Sequence, residues 1–116
     1  MSEGVTIEVV IAEVAGLARA DLERWLALEW VRPARAGGGW RFHGIDIARV
    51  RLIHELASDL LVDEEAMPVV LSLLDQLYDA RRRMRALAEA IAAAPEGPRR
   101  AVLERIAAAQ EPPNQL

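Results

Sequence analysis

Val5-Thr6-Ile7-Glu8-Val9 alternates apolar and polar residues, the period-two pattern of a short half-buried strand. The period then changes. Ile11, Val14 and Ala15 recur at helical spacing and predict a first helix over about Val10 to Ala15, ended by Gly16. A second helix is expected from near Arg19, where Leu22, Trp25, Leu26 and Glu29 follow i, i+3, i+4, i+7 spacing; Pro33 forbids its continuation. Val31 to Phe42 reads as a hairpin, with strand Val31 to Arg35, a turn through Ala36-Gly37-Gly38-Gly39, and strand Trp40-Arg41-Phe42. Glycine supplies the positive φ that such turns demand, and Pro33 is tolerable on an edge strand. Trp40 and Phe42 share a face and read as core, with Arg41 on the other side.

Gly44 is placed as the N-cap of a third helix whose buried stripe is Ile47, Val50, Ile53, Ala57 and Leu60. His54 lies beside that stripe and reads as a partly buried structural histidine. The acids Asp63-Glu64-Glu65 suit the start of another helix, where they oppose the positive end of its dipole. Val70, Leu73, Leu77, Ala80, Met84, Leu87 and Ile91 then keep a strict 3,4 spacing over three heptads, with Arg81, Arg82, Arg83 and Arg85 mostly off the seam. Alone in water this coiled-coil stripe would expose a large apolar patch, so a homodimer through it is expected. The alternative is that the stripe packs on the chain's own last helix, Arg99 to Ala109, after the break Pro95-Glu96-Gly97-Pro98. The tail from Gln110 to Leu116 reads as disordered. The predicted architecture is mainly α with a small β-hairpin: a domain over residues 1–62, a dimerisation helix over 63–94, and a short helix with a flexible tail over 95–116.

Composition narrows the chemistry. A chain of 116 residues at net charge -4 suits one modest domain with a helical appendage. It contains no apolar run of membrane-spanning length and no signal-peptide pattern, so a cytoplasmic location is expected. Without cysteine there are no disulfides, thiolate metal sites or cysteine nucleophiles. His43 and His54 lie eleven positions apart, beyond the i, i+4 spacing that would put both imidazoles on one helical face, and no metal site or cofactor is expected. Gly37-Gly38-Gly39 lacks the Gly-Lys-Ser/Thr ending of a phosphate loop, and no nucleophile and base pair is legible, so the chain is not read as an enzyme.

The order short helix, turn, helix, glycine-tipped hairpin, helix, long heptad helix resembles the MerR-like winged helix-turn-helix. Ile11-Ala12-Glu13-Val14-Ala15, Trp30-Val31-Arg32-Pro33, Trp40-Arg41-Phe42 and Ile47 to Ile53 carry that resemblance, which spans about residues 7–92. Within it, Arg51-Leu52-Ile53-His54-Glu55-Leu56 followed by Met67 to Asp75 and the heptad helix is similar to the CbpM chaperone modulators. The resemblance implies binding to the J-domain of a CbpA-type co-chaperone and inhibition of its work with a DnaK-type chaperone. Three positions depart from the pattern: the first helix and turn are about three residues shorter, Ala18 replaces the usual hydroxyl N-cap, and Glu29 stands where a turn glycine is common.

Charge bears on the choice between that partner and the DNA that MerR-like regulators bind. Residues 1–30 carry six acids against Arg19 and Arg24, a net of -4, whereas the hairpin and third helix set Arg32, Arg35, Arg41, Arg49 and Arg51 against Asp46, Glu55 and Asp59, a net of +2. A DNA reader needs several cations for phosphates, and where such readers usually have an arginine in the second helix this chain has Glu23. An acidic helix suits a basic protein surface, as the J-domain of the resemblance presents. Glu13, Asp21, Glu23 and Glu29 are the expected partner contacts, and Asp63, Glu64, Glu65, Asp75 and Asp79 form a rival set. A DNA-binding transcription regulator is the alternative function.

Overall fold

The computed structural model describes residues 3–110. They form α1 (Ile7–Glu13), α2 (Arg19–Ala27), β1 (Ala34–Ala36), β2 (Gly39–Arg41), α3 (Gly44–Ser58), α4 (Met67–Ala93) and α5 (Glu96–Ala109). The protein is therefore mainly helical, with one two-stranded antiparallel hairpin and a long helix in its C-terminal half. Two compact units divide the chain between Ser72 and Leu73. Among the described residues no helix is long and apolar enough to cross a membrane.

In the first unit the strand expected at Val5 to Val9 shrinks to a single bridge. Val5 and Phe42 exchange both backbone hydrogen bonds at 2.8 Å, and α1 begins two residues later. The reason lies in an overlapping helical phase: Ile7, Val10, Ile11 and Val14 also recur at i, i+3, i+4, i+7, and the helix buries Val10 and Val14 completely or nearly so. α1 thus starts three residues before the expected position and ends at Glu13, while Gly16 takes the following turn at φ +81°.

α2 begins at Arg19 as its periodicity predicts and buries Leu22, Trp25 and Leu26. It ends at Ala27, well before Pro33, so proline is not its terminator. Trp30 N–H donates to the Trp25 carbonyl at 2.9 Å and Glu29 N–H to that of Leu26 at 3.1 Å. This is a Schellman closure with Leu28 as C-cap and Glu29 at φ +62°. At the other end Ala18 is the N-cap and supplies no side-chain hydrogen bond.

The hairpin is tighter than expected. Ala34 pairs with Arg41, Arg35 with Trp40 and Ala36 with Gly39, leaving only Gly37 and Gly38 in the turn. Their φ values of +59° and +79° are those of a type I′ turn, whose twist matches that of the strands and draws Ala36 and Gly39 into the ladder. Val31 and Pro33 are buried in the segment leading to β1 and do not belong to the strand. Phe42 is fully buried, as its core assignment requires, but Trp40 is only half-buried: the Arg35 guanidinium from the opposite strand lies 4.1 Å from its ring centroid.

α3 is capped by His43 rather than Gly44, because Asp46 reaches back to accept the His43 backbone N–H at 2.8 Å. Its buried face is Val50, Ile53 and Leu56. Leu60, assigned to that stripe by spacing, is instead largely exposed, since the helix ends at Ser58 and the chain turns away through Leu61 at φ +55°. The half-buried His54 has Nδ1 3.5 Å from Ser58 Oγ, and a Cβ at position 16 would lie 3.3 Å from its Nε2, so Gly16 answers to spacing as well as to φ.

The acids expected in the first turn of α4 precede it. Asp63 Oδ1 accepts the Ala66 N–H at 2.7 Å, and the Asp63 carbonyl accepts that of Met67 at 3.0 Å. Met67 and Leu71 are buried and complete the core of the first unit. The second unit holds the rest of α4 and α5. α5 begins at Glu96, earlier than the expected Arg99, with Pro95 as N-cap and Gly97-Pro98 in its first turn, where the missing proline N–H costs no helical bond. Gln110 caps its C-terminus; the rest of the expected disordered tail lies outside the described residues.

Candidate functional site

α2 offers Asp21 and Glu23, two of the four acids that the sequence marks for partner contact, and its periodicity decides how they are displayed. Leu22, Trp25 and Leu26 face the core, so the charged positions lie around the remaining surface. Asp21 and Glu23 are two residues apart, which on an α-helix separates them by about 160°, on opposite flanks. Glu13 is exposed at the end of α1, and Glu29 is exposed at the left-handed position that closes α2. Glu13, Asp21, Glu23 and Glu29 thus stand at several points of this surface rather than in one cluster.

The cations of α2 are engaged within the first unit. Arg19 Nη1 lies 3.1 Å from Glu8 Oε2 on α1, and its Nε lies 3.3 Å from Glu23 Oε2 one turn along α2. The hydrogen bond from Arg19 holds the Glu8 carboxyl below its ordinary range, and the two carboxylates in turn raise the guanidinium further. Arg24 Nη2 pairs with Glu64 Oε2 at 3.1 Å, which ties α2 to the segment before α4. Of the remaining arginines, Arg35 covers Trp40 and Arg49 Nε donates to the Trp30 carbonyl. A shallow groove of about 400 Å³ runs between the helices and the hairpin, with Glu8, Arg19 and Glu23 on one side and Trp40 and Arg41 on the other.

In the rival acidic set, Asp63, Glu64 and Glu65 belong to the first unit and Asp75 and Asp79 to the second. Asp79 is ion-paired with Arg82. Along the heptad seam Val70 and Ile91 are half-buried, Ala80 is exposed, and Leu73, Leu77, Met84 and Leu87 are 45–67 % exposed. Among the described residues from Leu73 to Gln110 none is buried, so α5 does not cover the seam.

The Arg19 to Glu23 pair is legible in the sequence as i, i+4 spacing, but the reach to Glu8 depends on the turn at Gly16 and has no local signal. Leu60, placed by its spacing on the buried stripe of α3, and the neighbouring Leu61 are both exposed because the helix stops at Ser58. Among the described residues no three His, Asp or Glu side chains gather in a way that could hold a metal ion. No family model matches the chain, and comparison with curated proteins and with solved structures likewise finds no match.

Proposed function

We propose that this chain is a MerR-like winged helix-turn-helix protein of the CbpM type, a cytoplasmic homodimer that binds the J-domain of a CbpA-type co-chaperone and blocks its work with a DnaK-type chaperone. The element order helix, turn, helix, hairpin, helix, long helix supports the fold reading. The observation that carries the function is the engagement of both α2 arginines by carboxylates, Arg19 by Glu8 and Glu23, and Arg24 by Glu64. A helix reading DNA must offer its cations to phosphates, because the counterions they displace supply much of the affinity. Here both cations are neutralised at home while Asp21 and Glu29 remain exposed, a surface suited to a basic protein. Glu13, Asp21, Glu23 and Glu29 act as a field that speeds encounter, and apolar anchors hold the complex. The unburied seam from Leu73 to Leu87 supports dimerisation through α4.

Calorimetry with a CbpA-type J-domain tests this reading, together with the ATPase of the DnaK-type chaperone stimulated by that co-chaperone. Binding and suppression of the stimulation are expected, and absence of binding sinks the proposal. Selection from a random duplex pool tests the rival DNA-binding regulator: a motif bound at about 10⁻⁸ M or tighter at physiological salt would promote it.

A further inference from the structure

The segment that leaves α3 sets two leucines side by side in solvent, Leu60 at 68 % and Leu61 at 79 % exposure. Leu61 also sits at φ +55°, a region that glycine enters readily and a residue with a side chain enters at conformational cost. The surrounding backbone imposes this conformation: Leu60 N–H donates to the Glu55 carbonyl at 3.2 Å and Val62 N–H to that of Leu56 at 2.8 Å. The Arg24 to Glu64 ion pair tethers the same segment to α2. Folding alone is better served by glycine or asparagine at position 61, since the leucine side chain gains little burial to offset its backbone cost. The corner is thus apolar, exposed and held in place by its backbone hydrogen bonds, and an apolar group so placed gains from burial against another surface.

Charge narrows the occupant. From Asp59 to Glu65 the segment carries four acids and no base. Such a rim repels nucleic-acid phosphates, anionic lipid and a second copy of itself, and attracts a basic protein surface. We infer that Leu60 and Leu61 are the apolar anchor of the partner interface, seated in an apolar depression on a basic protein surface whose cations meet Asp59, Asp63 and Glu65. The inference rests on the reading above, in which that surface belongs to a J-domain, and it separates the anchor from the acids of α1 and α2 that speed encounter.

Leu61→Gly tests it unusually well, because the substitution relieves the backbone while deleting the anchor. Wild type, Leu61→Gly and Leu60→Ser are compared by thermal unfolding, sedimentation and calorimetry with the J-domain. Leu61→Gly is expected to be at least as stable as wild type and still dimeric, and each variant to bind about tenfold or more weakly. Unchanged affinity in both variants, with wild type binding, overturns this inference alone. Loss of the dimer in Leu61→Gly at unchanged J-domain affinity overturns it in favour of a second copy as occupant. A wild type that does not bind the J-domain at all overturns the proposed function and takes this inference with it.

Discussion

The backbone N–H of Trp30 reaches the Trp25 carbonyl at 2.9 Å, and the loop it closes forces Glu29 to φ +62°. Both tryptophans are buried, so the core fixes the two ends of the closure and the residue between them has no choice of conformation. Glycine accepts that conformation without the clash of a Cβ. Glu29→Gly is therefore expected to stabilise the protein by about 0.5–1 kcal/mol, the relief being partly offset by the greater freedom of the unfolded chain. A rise in the urea midpoint at unchanged slope is the measurement.

Ala18 caps α2 without a side-chain acceptor, although the amides of the first turn need one. Ala18→Ser or Ala18→Asp is expected to add about 1 kcal/mol, with Asp gaining further from the helix dipole at low salt. Chemical denaturation checks the first part and its salt dependence the second. No gain in either variant would mean that the cap geometry at position 18 is not that of an ordinary N-terminus.

Glu8 carries a pH signature. Its folded carboxyl is held below the ordinary value of about 4.5 by Arg19. The ionised pair therefore contributes fully above that value, and the contribution fades as pH falls through the lowered folded value. Glu8→Gln should be slightly less stable than wild type at neutral pH, and the two should converge in acid below 4.5. Both groups are solvent-exposed, so high salt should shrink the difference as well. A gap between the two proteins that stays constant from neutral to strongly acidic pH would count against the pair.

Leu77 lies in the middle of the exposed seam. If two copies bury it, Leu77→Asp places an unpaired carboxylate in each, at a cost of several kcal/mol. Light scattering at micromolar concentration should find a dimer that this substitution dissociates. The buried residues among those described all belong to the first unit, so circular dichroism and partner binding should change far less than the mass.

Reversing Asp21, Glu23 and Glu29 to Lys together should slow association with a basic partner while leaving dissociation nearly unchanged, and the effect should weaken in salt. Leu61→Gly should do the opposite and speed dissociation. Stopped-flow kinetics with the J-domain separates the two, and a triple reversal that acts only on dissociation would move the anchor from the Leu60-Leu61 corner to α2.

Local chemistry made much of this molecule legible before its structure. The periodicity of Leu22, Trp25 and Leu26 marks α2 and its buried face, the glycines from Gly37 to Gly39 mark a hairpin turn though not its length, and the 3,4 spacing from Val70 to Ile91 marks one long helix with an apolar stripe. Each signal works because the residues concerned lie within a few positions of one another, where backbone geometry alone sets which share a face. Glu29, which the same spacing counts as the next position of the helix, instead takes the positive-φ closure after Ala27.

What the tertiary structure decided are the places where two local readings compete or where a contact spans the chain. Val5 to Val9 fits a strand and a helix, and only the burial of Val10 and Val14 beside the Val5 to Phe42 bridge selects the helix. Whether Trp40 packs inside depends on Arg35, brought across by a register that the turn length fixes. The pairing of Arg19 with Glu8 and of Arg24 with Glu64 joins residues 11 and 40 positions apart, so the neutralisation of α2 could not be read from its own composition. The exposure of Leu60 and Leu61 has the same origin, because apolar character says that a residue gains from burial, while only the point at which α3 stops decides whether there is anything to bury it against.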